Sequence, residues 1–266
     1  MQETKYYFPN KVINQMNIPF TVKIATDDPD DVVMEQLKVA AERINDFLIQ
    51  IDRDFSPFRY DSLVSKYQRG DRSPILDSND FQTVYAQSVL AEQMTDGIFT
   101  PYFAGRYDPT GLVKGWAIEQ AFDKFMVPLL EDTHIEGISL NGGGDIKFAT
   151  KQGSTFNWGI GIENPDELQD VLATYYLKNG AIATSGNSKR GEHIVRKYPN
   201  DIEQVTVVSH SLVDADIWAT VGVAAGLEKF ANFIEEYDLS GILVDKDHAP
   251  INFNEGMIAN AQKTPL

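Results

Sequence analysis

The sequence contains no cysteine and only four histidines among its 266 residues. Without cysteine there is no disulfide, no thiolate metal site and no cysteine nucleophile. Basic residues are also scarce: 23 lysines and arginines stand against 39 aspartates and glutamates, a formal net charge of −16 at pH 7. A surface this acidic repels phosphate backbones, so we expect no nucleic-acid partner, and an anionic substrate needs a cation to mediate its binding.

Long hydrophobic runs are missing as well. No apolar stretch approaches the roughly 18–20 residues of a membrane span, and the N-terminus lacks the basic-then-apolar pattern of a signal peptide. We therefore expect no transmembrane segment and a cytoplasmic location, or an extracytoplasmic one if a leader has been removed. The composition, 42% hydrophobic and 23% charged, is that of a globular protein. No linker divides it, so a single domain over residues 1–266 is predicted.

Hydrophobic periodicity predicts a mixture of helices and strands. The predicted helices span residues 30–52, 78–94, 114–125, 164–178 and 214–226, with a further short one after Phe230. The predicted strands span residues 21–25, 137–140, 146–149, 158–162, 181–187, 205–208 and 241–244. Pro19 indicates that residues 16–20 lie at a sheet edge or in a connecting loop. Residues 97–115 are predicted to be an irregular loop, which a ligand or tight packing must hold in place.

The predicted helix over residues 214–226 carries acids and a hydroxyl among small apolar residues. Asp216 and Thr220 are four residues apart, so their oxygens lie on one helix face with Cβ atoms about 5–6 Å apart. Such a pair can hold a hard cation. Alternatively, Asp214 or Asp216 caps the helix and Thr220 bonds back to the carbonyl of Asp216. Taken alone, this helix leaves both interpretations open.

Three other segments carry polar or aromatic groups suited to a ligand. Lys114 stands at a predicted helix start, where backbone N–H groups and an ammonium favour a phosphate; the alternative is a solvated lysine. Residues 141–145, Asn-Gly-Gly-Gly-Asp, let the backbone approach a ligand closely but match neither a Walker nor a Rossmann motif. The aromatic side chains of residues 55–62 either hold a planar ligand or plug the core.

Taken together, these segments resemble the FAD:protein FMN transferase family, the ApbE-like flavin transferases, over residues 16–226. The order and spacing of the matches make the resemblance specific. The matching segments are MNIPF (16–20, similar to Met-Gly-Thr-Pro), FSPFRYDS (55–62, an aromatic-serine loop), DPTGLVKGWA (108–117, Lys-Gly-Tyr/Trp-Ala), NGGGD (141–145, Asn-x-Gly-Gly-Asp), ATSG (183–186) and DIWAT (216–220, Asp-x-x-x-Thr).

The resemblance implies an α+β (mixed α/β) fold, with mixed sheets packed against helices and FAD bound in a central groove. It implies Mg²⁺ held by the Asp216 and Thr220 side chains and the Gly111 carbonyl, with the ion gripping the FAD pyrophosphate. It also implies catalytic roles for His193, Lys114 and Asp216. The residues implied to contact FAD are Met16, Phe58, Ile98, Phe99, Thr100, Asp108, Lys114, Asn141, Gly143, Gly144, Asp145, Ser185 and His193.

The reaction implied by the resemblance moves FMN from FAD to a threonine hydroxyl of an acceptor protein through a phosphoester bond, with release of AMP. The acceptor carries a motif of the type Asp-(Gly/Ser/Ala)-Ala-Thr-(Ser/Thr). Residues 181–185 lack the leading acid, so self-modification is not expected. Two alternatives stay open: a FAD pyrophosphatase that gives FMN and AMP, and a non-catalytic FAD-binding protein.

The sequence departs from the family pattern at several points. Thr100 stands where aspartate is frequent, Gly142 replaces an apolar residue, and Phe58 replaces a tyrosine. After His193 and its neighbour, the usual Asp-Pro-x-Thr-Gly is replaced by residues 195–199, Val-Arg-Lys-Tyr-Pro. This last change predicts a reshaped rim and a different acceptor.

Overall fold

The computed structural model describes residues 5–167, 169–186, 202–246 and 250–258. Its helices are α1 (Asp31–Phe55), α2 (Leu63–Gln68), α3 (Ser73–Asp77), α4 (Asn79–Met94), α5 (Thr110–Ala121), α6 (Leu212–Ala225) and α7 (Leu227–Glu236). Its strands are β1 (Asn10–Gln15), β2 (Ile18–Thr26), β3 (Tyr102–Phe103), β4 (Arg106–Tyr107), β5 (Ile135–Gly142), β6 (Asp145–Thr150), β7 (Trp158–Glu163), β8 (Val171–Leu177), β9 (Gly180–Gly186), β10 (Ile202–Ser209), β11 (Ser240–Asp245), β12 (Ile251–Asn254) and β13 (Met257–Ile258). A π-helical turn (Phe122–Met126) and a 3-10 turn (Val127–Glu131) follow α5.

The centre of the molecule is a nine-stranded antiparallel sheet in the order β1-β2-β5-β6-β9-β10-β11-β12-β13. Because side chains alternate along each strand, the two faces of the sheet pack into different cores. Ala183 and Val205 belong to the larger core with α1, α4, α5 and α6. Phe148 and Ile182 face the other way, into a smaller core closed by the β7–β8 hairpin. The expected mixture of helices and sheets in an α+β fold is confirmed.

Two long helices form as their sequences predict. Helix α1 is capped by Asp30, whose Oδ1 accepts from the Val33 backbone N at 2.8 Å. Helix α4 is capped by Ser78 and ends before Gly97, which has a φ of +69°. The apolar residues that recur at helical spacing along α1 are all buried, as expected for the inner stripe of an amphipathic helix. They are Val33, Leu37, Ala40, Ala41, Ile44, Leu48 and Ile51.

The helix predicted over residues 164–178 is wrong. Residues 171–177 form strand β8, paired antiparallel with β7 in the register Trp158↔Leu177. The apparent helix-start signal is a turn, in which Asn164 Oδ1 accepts from the Asp166 backbone N at 3.1 Å. Asparagine serves both structures with the same side-chain bond, and the β-branched and aromatic residues that follow favour the strand.

Some elements next to the cleft also differ from expectation. Met16 and a second residue with positive φ form a hairpin turn between β1, which was not predicted, and β2. Pro19 therefore lies in a strand paired on both sides, opposite Asn14, and its carbonyl accepts from the Gly143 backbone N at 3.2 Å. Helix α5 starts at Thr110, so Lys114 lies in its second turn rather than at its start.

Candidate functional site

A cleft of about 1060 Å³ opens between the helical layer, the β5–β6 turn and the β7–β8 hairpin. Every predicted site residue within the described ranges lines it, although these residues come from distant parts of the chain. They are Met16, Phe58, Ile98, Phe99, Thr100, Asp108, Gly111, Lys114, Asn141, Gly143, Gly144, Asp145, Ser185, Asp216 and Thr220. The remaining one, His193, lies outside the described residues.

Lys114 forms the charged centre of the cleft. Its Nζ makes an ion pair with Asp145 and lies 3.3 Å from Oδ2 of Asp216. The lysine side chain is 21% exposed, whereas the Asp145 and Asp216 side chains are 3% and 7% exposed. Asp145 Oδ1 also accepts from the Thr184 backbone N at 3.2 Å. Two nearly buried carboxylates thus share one ammonium, which leaves this point with net negative charge.

Thr220 faces the cleft one helical turn after Asp216. Its hydroxyl bonds to the Ser185 hydroxyl on β9 at 3.0 Å, which ties α6 to the strand end that the sequence singled out. The alternative in which Asp214 or Asp216 caps this helix is wrong, because Ser211 caps it through a 3.2 Å bond from the Asp214 backbone N. Asp216 and Thr220 both line the cleft.

The turn between β5 and β6 brings backbone to the cleft surface. Asn141 Oδ1 accepts from the Gly144 backbone N at 3.0 Å, and the two turn glycines have φ of +67° and +109°, a region that side-chain-bearing residues rarely adopt. Gly142 departs from the family pattern for a steric reason. A Cβ there would lie 2.7 Å from both Ile118 Cδ1 and Phe20 Cε1, so these larger neighbours already fill the space.

The aromatic loop divides between the core and the cleft. Phe55 is buried against Phe81 and Trp116, so it packs in the core. Phe58 is 94% exposed at the cleft mouth, where its ring is available to a planar ligand. Thr100, the second departure from the family pattern, donates from Oγ1 to Glu92 Oε1 at 2.5 Å.

Sequence reasoning missed the cleft wall made by the β7–β8 hairpin. Ile160 to Glu163 line the cleft, and Gln204 Nε2 donates to the Glu163 carbonyl at 3.0 Å, which joins this wall to the main sheet. These residues match no motif. Once residues 171–177 are taken as a helix, no sequence signal places β7 beside the site.

The charged residues that line the cleft are mostly acidic. Within the described residues, no three acidic or histidine side chains converge tightly enough to hold a metal ion by themselves. The charged lining residues are Asp52, Asp108, Lys114, Asp145, Glu163 and Asp216.

None of the helices described is both long enough and apolar enough to cross a membrane.

Comparison with known proteins gives consistent likenesses. A model of the ApbE family matches residues 105–243. An FAD:protein FMN transferase from Klebsiella pneumoniae (strain 342) is 26% identical over 176 residues, which cover 60% of this chain and 52% of that protein. The chain thus spans about half the length of the curated relative it matches.

Solved structures show the same fold over nearly the whole chain. The flavin transferase ApbE from Vibrio cholerae is 16% identical, with a TM-score of 0.67 over 97% of this chain and 98% of that one. The flavinyl transferase ApbE from Pseudomonas stutzeri, in its apo form, is 15% identical, with a TM-score of 0.70 over 95% and 97%. The ApbE protein from Thermotoga maritima is 19% identical, with a TM-score of 0.71 over 94% and 97%.

Proposed function

The chain belongs to the ApbE family, and we propose that it is a Mg²⁺-dependent FAD:protein FMN transferase that attaches FMN to a threonine of an acceptor protein and releases AMP. One observation carries the proposal. Residues from six separate segments, singled out by type and order, line a single cleft around Lys114, Asp145 and Asp216. The name of the Klebsiella relative supports the same activity.

The cleft has the size and lining that a dinucleotide needs. Its volume of about 1060 Å³ is slightly above the roughly 300–1,000 Å³ of ordinary ligand pockets. Exposed aromatic rings stand at its mouth, led by Phe58 and Phe103. Glycine turns and charged groups form its floor. An isoalloxazine ring suits the aromatic mouth, and a pyrophosphate suits the floor near Lys114.

The charge of the cleft supports a cation requirement. Its described lining holds five carboxylates and one lysine. The net negative charge of these groups repels a pyrophosphate dianion. The Asp216 carboxylate, the Thr220 hydroxyl and the Gly111 carbonyl are hard oxygen donors of the kind Mg²⁺ prefers, with substrate phosphates and water completing its shell. The Gly111 carbonyl lies in the first turn of α5 and retains a second lone pair for a cation. When bound, Mg²⁺ neutralises the charge that develops on the phosphates.

The side chains of this protein supply positioning and charge. Lys114, already fixed between two carboxylates, neutralises a phosphate oxygen as charge shifts toward AMP. Asn141 and the glycine turn hold the substrate by backbone and amide contacts. We assign proton transfer to His193, which lies outside the described residues.

The proposed reaction is a displacement at the FMN-side phosphorus of FAD. The threonine Oγ of the acceptor forms the new P–O bond, and the bond from this phosphorus to the bridging oxygen breaks. AMP leaves with the bridging oxygen and its electron pair, while the threonine proton passes to the base. No electron is gained or lost, so FMN keeps its oxidation state.

Chromatography of the nucleotide products, paired with mass measurement of the acceptor, tests this proposal. With FAD, Mg²⁺ and a threonine-motif acceptor, we expect one AMP per flavin attached, and no flavin on an acceptor whose threonine is replaced by valine. AMP and free FMN formed equally well without acceptor would identify a pyrophosphatase instead. FAD binding without AMP in any mixture would identify a silent flavin-binding protein.

A further inference from the structure

Three elements, β6, α5 and α6, are joined twice by charged side chains. The first junction lies on the cleft floor, where Lys114 of α5 contacts Asp145 of β6 and Asp216 of α6. The second junction lies behind it, outside the cleft lining, and consists of Lys147 of β6, Glu119 of α5 and the N-terminus of α6.

Glu119 is held from two sides in the second junction. Its Oε1 accepts from Lys147 Nζ at 2.7 Å and from the Leu212 backbone N at 3.1 Å. Its Oε2 accepts from the Ser211 hydroxyl at 3.3 Å and from the Val213 backbone N at 3.4 Å. The Lys147 and Glu119 side chains are 15% and 16% exposed. A carboxylate at this place satisfies N–H groups that have no partner within the helix.

The two junctions have opposite charge order. From β6 through α5 to α6, the first junction consists of an acid, a base and an acid. In the same direction, the second consists of a base, an acid and the positive N-terminal end of α6. Asp145 and Lys147 are two residues apart on β6 and therefore share a face of the sheet. Asp216 lies about one turn after Leu212 on α6. The second junction thus fixes the spacing and rotation of the elements that bring Lys114 to Asp216.

Close packing transmits any shift of this second junction to the cleft. At Gly115 of α5, an added Cβ would lie 3.4 Å from the Leu212 carbonyl oxygen and 3.5 Å from Asp216 Oδ2. The two helices therefore lie close together at this point, with room for about one methyl group between Gly115 and the first turns of α6.

We propose that Glu119, held by Lys147, is a positioning residue that sets the Lys114–Asp216 geometry from outside the cleft. The proposal rests on the proposed function of that cleft. A misplacement of 1 Å at a reacting centre costs on the order of 10²-fold in rate, so loss of this junction acts on turnover.

The test compares Glu119→Ala, Glu119→Gln and Lys147→Met with Asp123→Asn as the matched control. Asp123 is an exposed carboxylate about one turn after Glu119, and it interacts electrostatically with both Glu119 and Lys147. We expect kcat to fall about 100-fold in Glu119→Ala and about 10-fold in Glu119→Gln and Lys147→Met, with KM for FAD within about threefold. The control should keep the wild-type values.

Calorimetry of FAD binding during a Mg²⁺ titration gives a second measurement that needs no turnover. The Mg²⁺ concentration at half-maximal FAD binding should rise about fivefold in Glu119→Ala, because Asp216 is displaced. A merely structural role would lower Tm and leave both kcat per folded molecule and the Mg²⁺ midpoint unchanged, which would overturn the proposal. Failure of the proposed function differs, since the wild-type protein itself would then give no flavinylated acceptor.

Discussion

At the scale of single residues, Lys114 is the one basic side chain among the described residues that line the cleft. It lies between Asp145 and Asp216 in a cleft of mostly acidic lining. Breaking such a nearly buried charged set by removing one partner is costly, because the remaining charge has lost its compensation. In the proposed reaction, a bound pyrophosphate and its cation would replace these contacts, so the same lysine would serve both the substrate-free and the substrate-bound cleft.

The described residues that the sequence singled out line one cleft, but their pairing was not predicted, and their contact with FAD stays a prediction. Lys114, Asp145 and Asp216 were each singled out within a local motif, and the structure brings all three to one cleft. Their ion pairs could not be predicted, because they join elements far apart in the chain whose relative placement depends on the sheet order. Local spacing carries no information about such contacts.

A surface ion pair away from the cleft gives a pH-dependent prediction. The hydrogen bond that the His134 ring donates to Asp27 raises the pKa of His134 above its ordinary value of 6.5, and Asp28 and Asp132 act in the same direction. A raised folded-state pKa stabilises the protein below the ordinary pKa and loses this effect as pH rises through the folded value. His134→Gln should therefore lower Tm more at pH 5.5 than at pH 8.5.

Because His134 is exposed, this Tm difference should be only on the order of 1–2 °C. Differential scanning calorimetry of both proteins at the two pH values measures it, with Asp27→Asn as the control that removes the pH dependence. An equal loss of Tm at both pH values would contradict the assignment.

At the scale of elements, each predicted strand overlaps an observed strand, and the long helices predicted over residues 30–52 and 78–94 form, but the one predicted over residues 164–178 does not. Helix α1 has a clear apolar stripe, and each of its predicted inner residues is buried. The helix prediction for residues 164–178 was wrong because an Asn-Pro-Asp-Glu start fits a turn and a helix cap equally well. Only the pairing with β7 decides between the two. The start of helix α5 was predicted too late. Its first turn contains glycine and has no side-chain cap, so the sequence there carries no clear signal for a helix start.

The β5–β6 turn gives a prediction at this scale. Gly142→Val should destabilise the fold by about 1–3 kcal/mol, since overpacking of a filled core costs this much. The new Cβ would lie 2.7 Å from Phe20 and Ile118. Denaturant unfolding of Gly142→Val, Phe20→Leu and the double variant measures the effect. We expect the double variant to be more stable than the sum of the two single losses, because the smaller residue makes room.

Simple additivity in this cycle would show that Phe20 is not what restricts Gly142. It would leave Ile118 as the neighbour that restricts residue 142 to glycine.

At the scale of the whole molecule, the sheet separates two cores and places the cleft where helices, turn and hairpin meet. The fold class could be predicted because the resemblance covers most of the chain. The sheet order and the β7–β8 wall could not, since neither follows from the type or length of the individual elements.

The net charge of −16 predicts an unusual salt dependence of FAD binding. Without divalent cations, repulsion between the acidic protein and the anionic substrate should slow association, and salt screens this repulsion. The association rate in EDTA should therefore rise several-fold between about 20 and 200 mM salt. Stopped-flow flavin fluorescence measures it, and the dependence should weaken when Mg²⁺ is present. A rate that falls with salt would mean that a basic surface steers FAD instead.

The most direct test of the central claim is the intact mass of a threonine-motif acceptor after incubation with FAD, at increasing Mg²⁺, with wild-type protein, Asp216→Asn or Asp214→Asn. Asp214 is an exposed carboxylate on the same helix and serves as the matched control. We predict a Mg²⁺-dependent mass increase of one FMN. The labelling rate should be at least about 100-fold lower with Asp216→Asn and near the wild-type rate with Asp214→Asn. Labelling by Asp216→Asn at the wild-type rate, or labelling independent of Mg²⁺, would contradict the account.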